Sequence, residues 1–398
     1  MAPALVVEEG HDALENRVQR FTRDGSDNLE QHLHNACARV LAGVGELVEP
    51  KDLEGILLGG GYGRGEGGVL RTGTGDQPYN DMEFYVCLRG NPRANERRYG
   101  EALHRLGHEL SHIAGVDVEF KVLSLAVLRR SPVTMFSYDL VAGHRWVLGE
   151  EGMLADCKSH EEAGQIPLYE AARLLMNRGA GLLFSRFYVD SGVFTAANAD
   201  FIHRNMAKAE LALGDALLTA YGMYHWSCLE RSARLKRFTS NLDVPWLDDV
   251  KRRHATGVQF KLHPRRGPES LDGLGARHAE LSKLALQVFL WIEQRRLNQS
   301  FVSARDYALN FADKCPETRP WRNCLVNAVA FGPEILLTKQ ALRYPRERLF
   351  NSLALLLWEP ALLIDSKLLR RVQGELRTSV RMLPALVEAF RSLWVRFR

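Results

Sequence analysis

The chain has 398 residues, enough to bury a large core and to form two domains at the usual ~100–200 residues each. Its 52 basic and 48 acidic residues leave a net charge of +4, too near balance for the strong global field of a nucleic-acid binder. Six cysteines without a Cys-x-x-Cys spacing read as free thiols of a reducing cytoplasm; the short acidic N-terminus is unlike a signal peptide, and no apolar run approaches the ~18 residues of a membrane helix.

In chain order, Asp12 to Phe21 reads as a short helix broken by Arg23-Asp24-Gly25. Ser26 and Asp27 can cap a second helix whose apolar positions (Leu29, Leu33, Ala36, Val40, Leu41, Val44, Leu47) keep helical spacing as far as Glu49-Pro50. Glu30, His32 and His34 on that helix read as a solvated face. An apolar strand, Ile56 to Leu58, runs into a glycine cluster from Gly59 to Gly68, and Arg71 to Tyr79 reads as an inserted loop. Alternation restarts at Asn80. A strand has a side-chain period of two, so Asp81 and Glu83 point one way and Met82 and Phe84 the other.

A helix follows from about Arg93 to Ile113. His104, His108 and His112 form one stripe on it; zinc could use that spacing, but the stripe reads as an exposed or boundary face. The next strand, Val116 to Leu123, carries Asp117 and Glu119, and Pro132 to Val141 is a helix or loop before an edge strand at His144–Gly149.

Two carboxylates on one strand face repel unless a cation lies between them, and Mg²⁺ takes carboxylate oxygens and substrate phosphates together. Glycines let a backbone approach a phosphate closely and turn its N–H groups toward it. A phosphate cradle followed by paired carboxylates is equipment for phosphoryl or nucleotidyl transfer. Gly63-x-Gly65-x-x-Gly68 also fits the dinucleotide-binding fingerprint, but the apolar helix that must follow at once is absent.

The stretch Gly60-Gly61-Tyr62-Gly63-Arg64-Gly65-Glu66, followed by Asn80-Asp81-Met82-Glu83, resembles the signature of the polymerase-beta-like nucleotidyltransferase superfamily. That signature is Gly-Gly or Gly-Ser after a first strand, Asp-x-Asp or Asp-x-Glu on a second, and a third acid on a later strand. The likeness covers residues 50–150; the twenty positions from Gly61 to Asp81 exceed the spacing of compact members. It implies an α+β fold, a nucleotidyltransferase-like core with a small mixed sheet flanked by helices (27–150), followed by an all-α domain (165–398).

The resemblance implies transfer of a nucleoside monophosphate from an NTP such as ATP to an acceptor, with release of pyrophosphate. Asp81 and Glu83 would ligate Mg²⁺ or Mn²⁺. Asp117 is the favoured third acid, completing a second metal site or deprotonating the acceptor, with Glu119 as the fallback. Gly60, Gly61 and the backbone to Arg64 would hold the triphosphate, and two metals about 3.5–4 Å apart would stabilise attacking and leaving oxygens. Small molecule, RNA and protein stay open as acceptors. The alternative is an inactive module of the same fold that binds a nucleotide, RNA or a partner protein.

Ala155 to Gln165 is polar and makes the domain boundary. Beyond it helices are expected from Pro167 to Phe184, about Asp200–Tyr224, Leu271–Asn298, Ser303–Asp313, Pro333–Arg343, Pro345–Leu357, Ser366–Gln373 and Leu383–Phe397. Residues 230–266 are the basic region; Trp246 and Phe260 would be available there for stacking on RNA. On the Asp200–Tyr224 helix, Lys208 and Asp215 are two turns apart on a mostly small and polar face. Lys208 is the candidate cation for the triphosphate from the helical domain.

Overall fold

A computed structural model of the chain describes residues 20–192, 195–239, 244–265 and 270–397. The helix expected over Asp12–Phe21 lies outside them up to residue 19, and so do Asp243 and Arg266 of the basic region. The chain divides into two compact units, one of residues up to 129 with 143–154 and 262–264, the other of 130–142, 155–261 and 265 onward. The architecture is α+β, with a small mixed sheet flanked by helices in the first unit and, among the described residues, helices alone in the second.

In the first unit, Ser26 Oγ accepts from the Leu29 N–H at the head of α1 (Asp27–Leu47), and Leu29, Leu33, Val40 and Val44 form its buried stripe. β1 (Leu53–Leu58) leads into a single helical turn, α2 (Gly60–Gly63). Next come β2 (Val69–Thr72), β3 (Gly75–Pro78) and β4 (Met82–Leu88). Asn91 caps α3 (Pro92–Ala114), which stops at Gly115, a left-handed residue with φ 74°. β5 (Val118–Leu123), the turn α4 (Leu125–Leu128) and β6 (Arg145–Leu148) complete the unit.

The sheet order is β5-β4-β1-β6, with β4 and β5 parallel and the other pairs antiparallel. Met82, Phe84 and Val86 from β4 join Ile56 and Leu58 from β1 in a core with α1 and α3. β6 lies on the edge, as the sequence predicts. The inserted segment is a hairpin rather than a loop: β2 and β3 pair antiparallel from Val69↔Pro78 to Thr72↔Gly75, around a two-residue turn.

Glu30 corrects the reading of the α1 face as solvated. It is buried and accepts from the backbone N–H of Phe21 (2.7 Å) and Thr22 (3.0 Å) and from the Thr22 hydroxyl, fastening the segment before α1. Only His34 of the three is exposed; His32 is half-buried and hydrogen-bonds Ala114 O at 2.9 Å.

The second unit begins with α5 (Met135–Ala142), a segment the sequence assigned to the core domain. Its Tyr138, with Val133, packs against Ile166 and Tyr224. The Met135 N–H donates to the buried Glu170 carboxylate at 3.2 Å. The principal core is shared by α6 (Leu168–Asp190), α7 (Ala196–Ala220), α8 (Cys228–Arg237), α9 (Leu247–Leu262) and α10 (Leu271–Leu297). α11 (Ala304–Leu309), α12 (Pro320–Phe331), α13 (Arg346–Leu353), α14 (Ser366–Leu376) and α15 (Leu383–Phe397) follow.

Pro333–Arg343 is not a helix. Only Pro333–Leu337 forms a 3₁₀ turn, and amide N–H groups of Asn323 and Asn327 hold the carbonyls of Ala341, Leu342 and Arg343 in the irregular segment that follows. Trp246 is buried against Trp291, ring centres 5.8 Å apart, so it offers no stacking face. In the basic region Arg231 is paired inside the unit with Asp215, and Arg253 with Glu210 and Glu280. All six cysteines are unpaired, and no helix among the described residues is long and apolar enough to cross a membrane.

Candidate metal centre

The alternation of β4 sets the site. Met82 and Phe84 are fully buried, which leaves Asp81, Glu83 and Tyr85 on the opposite face, Asp81 exposed and Glu83 half-buried. β5 runs parallel beside it in the register Met82↔Val118, Glu83↔Glu119, Tyr85↔Lys121. Register partners carry their side chains to the same face, so Glu119 stands beside Glu83 and Lys121 beside Tyr85. The Met82 N–H donates to Asp117 O at 2.8 Å and holds the start of this register.

One carboxylate oxygen from each of Asp81, Glu83 and Glu119 lies within 4.8 Å of the other two. Asp117 is exposed, one residue ahead of β5, and outside this group, so the third acid of the cluster is Glu119 and not the favoured Asp117. The acceptable separation is a matter of ion size. Six oxygens at about 2.1 Å around Mg²⁺ stand about 3 Å apart as neighbours and about 4.2 Å apart across the ion. The three oxygens therefore need only small side-chain adjustments to share one. An all-carboxylate donor set suits Mg²⁺ or Mn²⁺ and not the nitrogen and sulfur preferences of zinc. The exposed histidines 104, 108 and 112 on α3 form no such group among the described residues.

β1 delivers the glycine turn to the same place. It pairs antiparallel with β4, Leu58 opposite Phe84, and the Gly59 N–H donates to Glu83 O at 2.9 Å. Gly60 has φ 62°, and a Cβ built there would lie 3.2 Å from Glu83 Oε2. A side chain at position 60 would be strained and would press on the carboxylate. Glycine is what lets the turn and the acid coexist.

Most of the expected phosphate cradle is spent internally. The N–H groups of Gly63, Gly65, Glu66 and Gly67 donate to the carbonyls of Gly59, Tyr62, Gly61 and Phe21, that of Arg64 to Tyr62 O, and that of Gly68 to Asn80 Oδ1. Only Gly60, Gly61 and Tyr62 precede the first hydrogen bond of the turn. The cradle is therefore narrower than the sequence suggests, and the Arg64 backbone is not part of it.

Tyr62 is the post on which the loop hangs. Fully buried, it donates to Gly68 O at 3.1 Å and accepts from the Tyr79 N–H at 2.9 Å, and burial pushes its phenol up to about 12. Together with the Asn80–Gly68 bond it ties the end of the hairpin to the glycine loop, one residue ahead of Asp81.

Two residues at the site escaped the sequence reading. Lys121 Nζ lies 3.4 Å from Glu83 Oε1 and 3.6 Å from Glu119 Oε2, and 5.6 Å from the centre of the Tyr85 ring. Tyr85 OH donates to Glu83 Oε2 at 3.4 Å; burial and the Glu83 charge raise its phenol, while half-buried Arg64 opposes that rise. The signal for both was the period of two, which puts Tyr85 after Asp81 and Glu83, and Lys121 after Asp117 and Glu119.

Lys208 is exposed on α7 in the helical unit. Asp215, expected with Lys208 on a mostly small and polar face, is instead buried, paired with Arg231 Nε at 2.7 Å and His254 Nε2 at 3.1 Å. No protein-family model matches this chain, and no curated protein matches it.

Proposed function

We propose that the protein is a metal-dependent nucleotidyltransferase that moves a nucleoside monophosphate from an NTP to an acceptor and releases pyrophosphate. The observation that carries this is the convergence of Asp81, Glu83 and Glu119 within 4.8 Å, with the glycine turn against Glu83. The three carboxylates would hold Mg²⁺ or Mn²⁺. The ion supplies charge neutralisation at the phosphate oxygens. Gly60, Gly61 and Tyr62 present the N–H groups left for a phosphate, and Tyr85 holds Glu83 from behind.

The resemblance in glycine and acid motifs supports the same reading. The acceptor belongs to one of three classes: small molecule, RNA or protein. The test is thermal stabilisation of the full chain by each NTP with and without Mg²⁺, followed by a transfer screen with labelled NTPs. A ligand at a hundred times its dissociation constant adds about 2.7 kcal/mol. Nucleotide binding that requires the metal and is lost in Asp81→Asn supports the assignment; a folded protein indifferent to every metal–NTP pair sinks it.

A second reading has its own observation. Lys121 between Glu83 and Glu119 offsets one of their two charges without a metal, which favours an inactive module binding a nucleotide, RNA or partner protein. Metal-independent nucleotide binding without transfer distinguishes it.

A further inference from the structure

The Lys121 ammonium touches one oxygen of Glu83 and one of Glu119, two of the three carboxylates grouped for a metal. We propose that Lys121 is the resident cation of this centre and that a divalent ion enters by displacing it; the proposal rests on the metal-site reading above.

Distance decides between a permanent substitute for the metal and a displaceable one. A tight ammonium–carboxylate hydrogen bond spans about 2.7–2.9 Å. Lys121 stands at 3.4 and 3.6 Å, bridging both acids and closing tightly on neither. Its side chain is 46% exposed and that of Glu119 50%, so water screens the pair and its net worth is small. A lysine held this way leaves without a large penalty.

It cannot simply stay. A divalent ion about 2.1 Å from the same oxygens would lie at most about 5.5 Å from the ammonium, a strong repulsion even after screening. The flexible stem can swing toward solvent, since the side chain is half exposed, and the face of the Tyr85 ring, 5.6 Å from Nζ, borders its path. Three carboxylates and one ammonium sum to −2, so with Lys121 in place the cluster still attracts a divalent ion. The released ammonium then lies beside the ion, where phosphate oxygens would meet it. Metal and nucleotide thereby assist each other's binding.

The experiment titrates Mn²⁺ into the full-length chain and follows the free-ion EPR signal, with no turnover involved. Lys121→Gln and Lys121→Met both remove the charge with different polarity, so misfolding of one, checked by circular dichroism, leaves the other. Both should bind Mn²⁺ about tenfold tighter than wild type, the effect of removing a screened like charge at this range. Lys121→Arg should keep the wild-type affinity, and Glu83→Gln added to Lys121→Gln should abolish the gain. Glu83-dependent binding of equal or lower affinity in Lys121→Gln and Lys121→Met overturns the competitor role and leaves the metal site standing. Absence of Glu83-dependent binding in wild type and variants alike overturns the metal site itself, and the proposal with it.

Discussion

Glu119 is the register partner of Glu83 across the parallel β4–β5 pair, and the two carboxylates share the Lys121 ammonium. Asp117 has the same strand-face parity but lies two positions, ~6.6 Å, back along the chain and outside the acid cluster. Asp81→Asn, Glu83→Gln and Glu119→Gln are therefore each expected to lower metal-dependent nucleotidyl transfer by at least about a hundredfold, and Asp117→Asn to stay within about threefold of wild type. Steady-state transfer assays on the four variants check this. An inactive Asp117→Asn beside an active Glu119→Gln would restore the order read from the sequence.

Gly60 meets two constraints at once, φ 62° and a Cβ position 3.2 Å from Glu83 Oε2. Gly60→Ala should cost about 1–2 kcal/mol for the left-handed backbone, and should weaken Mn²⁺ binding by pushing the Glu83 carboxylate. Gly73, whose Cβ position has nothing within 4 Å, is the control and should tolerate alanine. Urea denaturation and Mn²⁺ titration measure the two effects. A Gly60→Ala protein as stable and as metal-competent as wild type would remove the turn from the site.

Asp215 lies in the helical unit between Arg231 and His254. Burial raises its carboxyl, but Arg231 and His254 outweigh that and hold it below the usual value. The Arg231 side chain is 5% exposed, so Asp215→Asn removes a carboxylate in direct contact with a buried guanidinium and should cost about 3–5 kcal/mol. Chemical denaturation of the helical unit reads this out, and a loss below about 1 kcal/mol contradicts it. A depressed carboxyl stabilises above the unfolded value and loses that contribution as pH falls toward its folded value.

His278 sets a window at milder acidity. It is buried, its Nε2–H donates to Leu182 O at 2.8 Å, and burial pushes it below the ordinary histidine value of about 6.5. The folded protein then binds the proton less readily than the unfolded chain does. Its contribution to stability is complete above pH 6.5 and declines as the pH falls below that value. His278→Gln, which keeps an N–H for Leu182, should flatten the fall in stability between about pH 7 and pH 5. Parallel pH–stability curves for the two proteins would exclude His278 as the cause.

Local chemistry made much of the first unit legible. The Ser26 cap, the apolar spacing of α1, Asn91-Pro92 ahead of α3 and the in–out alternation of Asp81 to Phe84 depend only on neighbours along the chain. The Thr72-Gly73-Thr74-Gly75 turn was also there to read as a hairpin, because two residues flanked by pairing strands suffice.

Tertiary structure decided the rest, because it turned on partners distant in sequence. Alternation says that Asp117 and Glu119 share a face; only the pairing of β5 with β4 decides that Glu119 and Lys121, not Asp117, stand beside Glu83. Polarity says that Glu30 and Asp215 belong in water; the Phe21–Thr22 backbone and Arg231 with His254 provide the hydrogen bonds and charges that let them be buried. The sequence by itself determined which carboxylates face one way. Long-range register decided which of them meet, since a strand's period is local and its neighbour is chosen by the packing of the whole sheet.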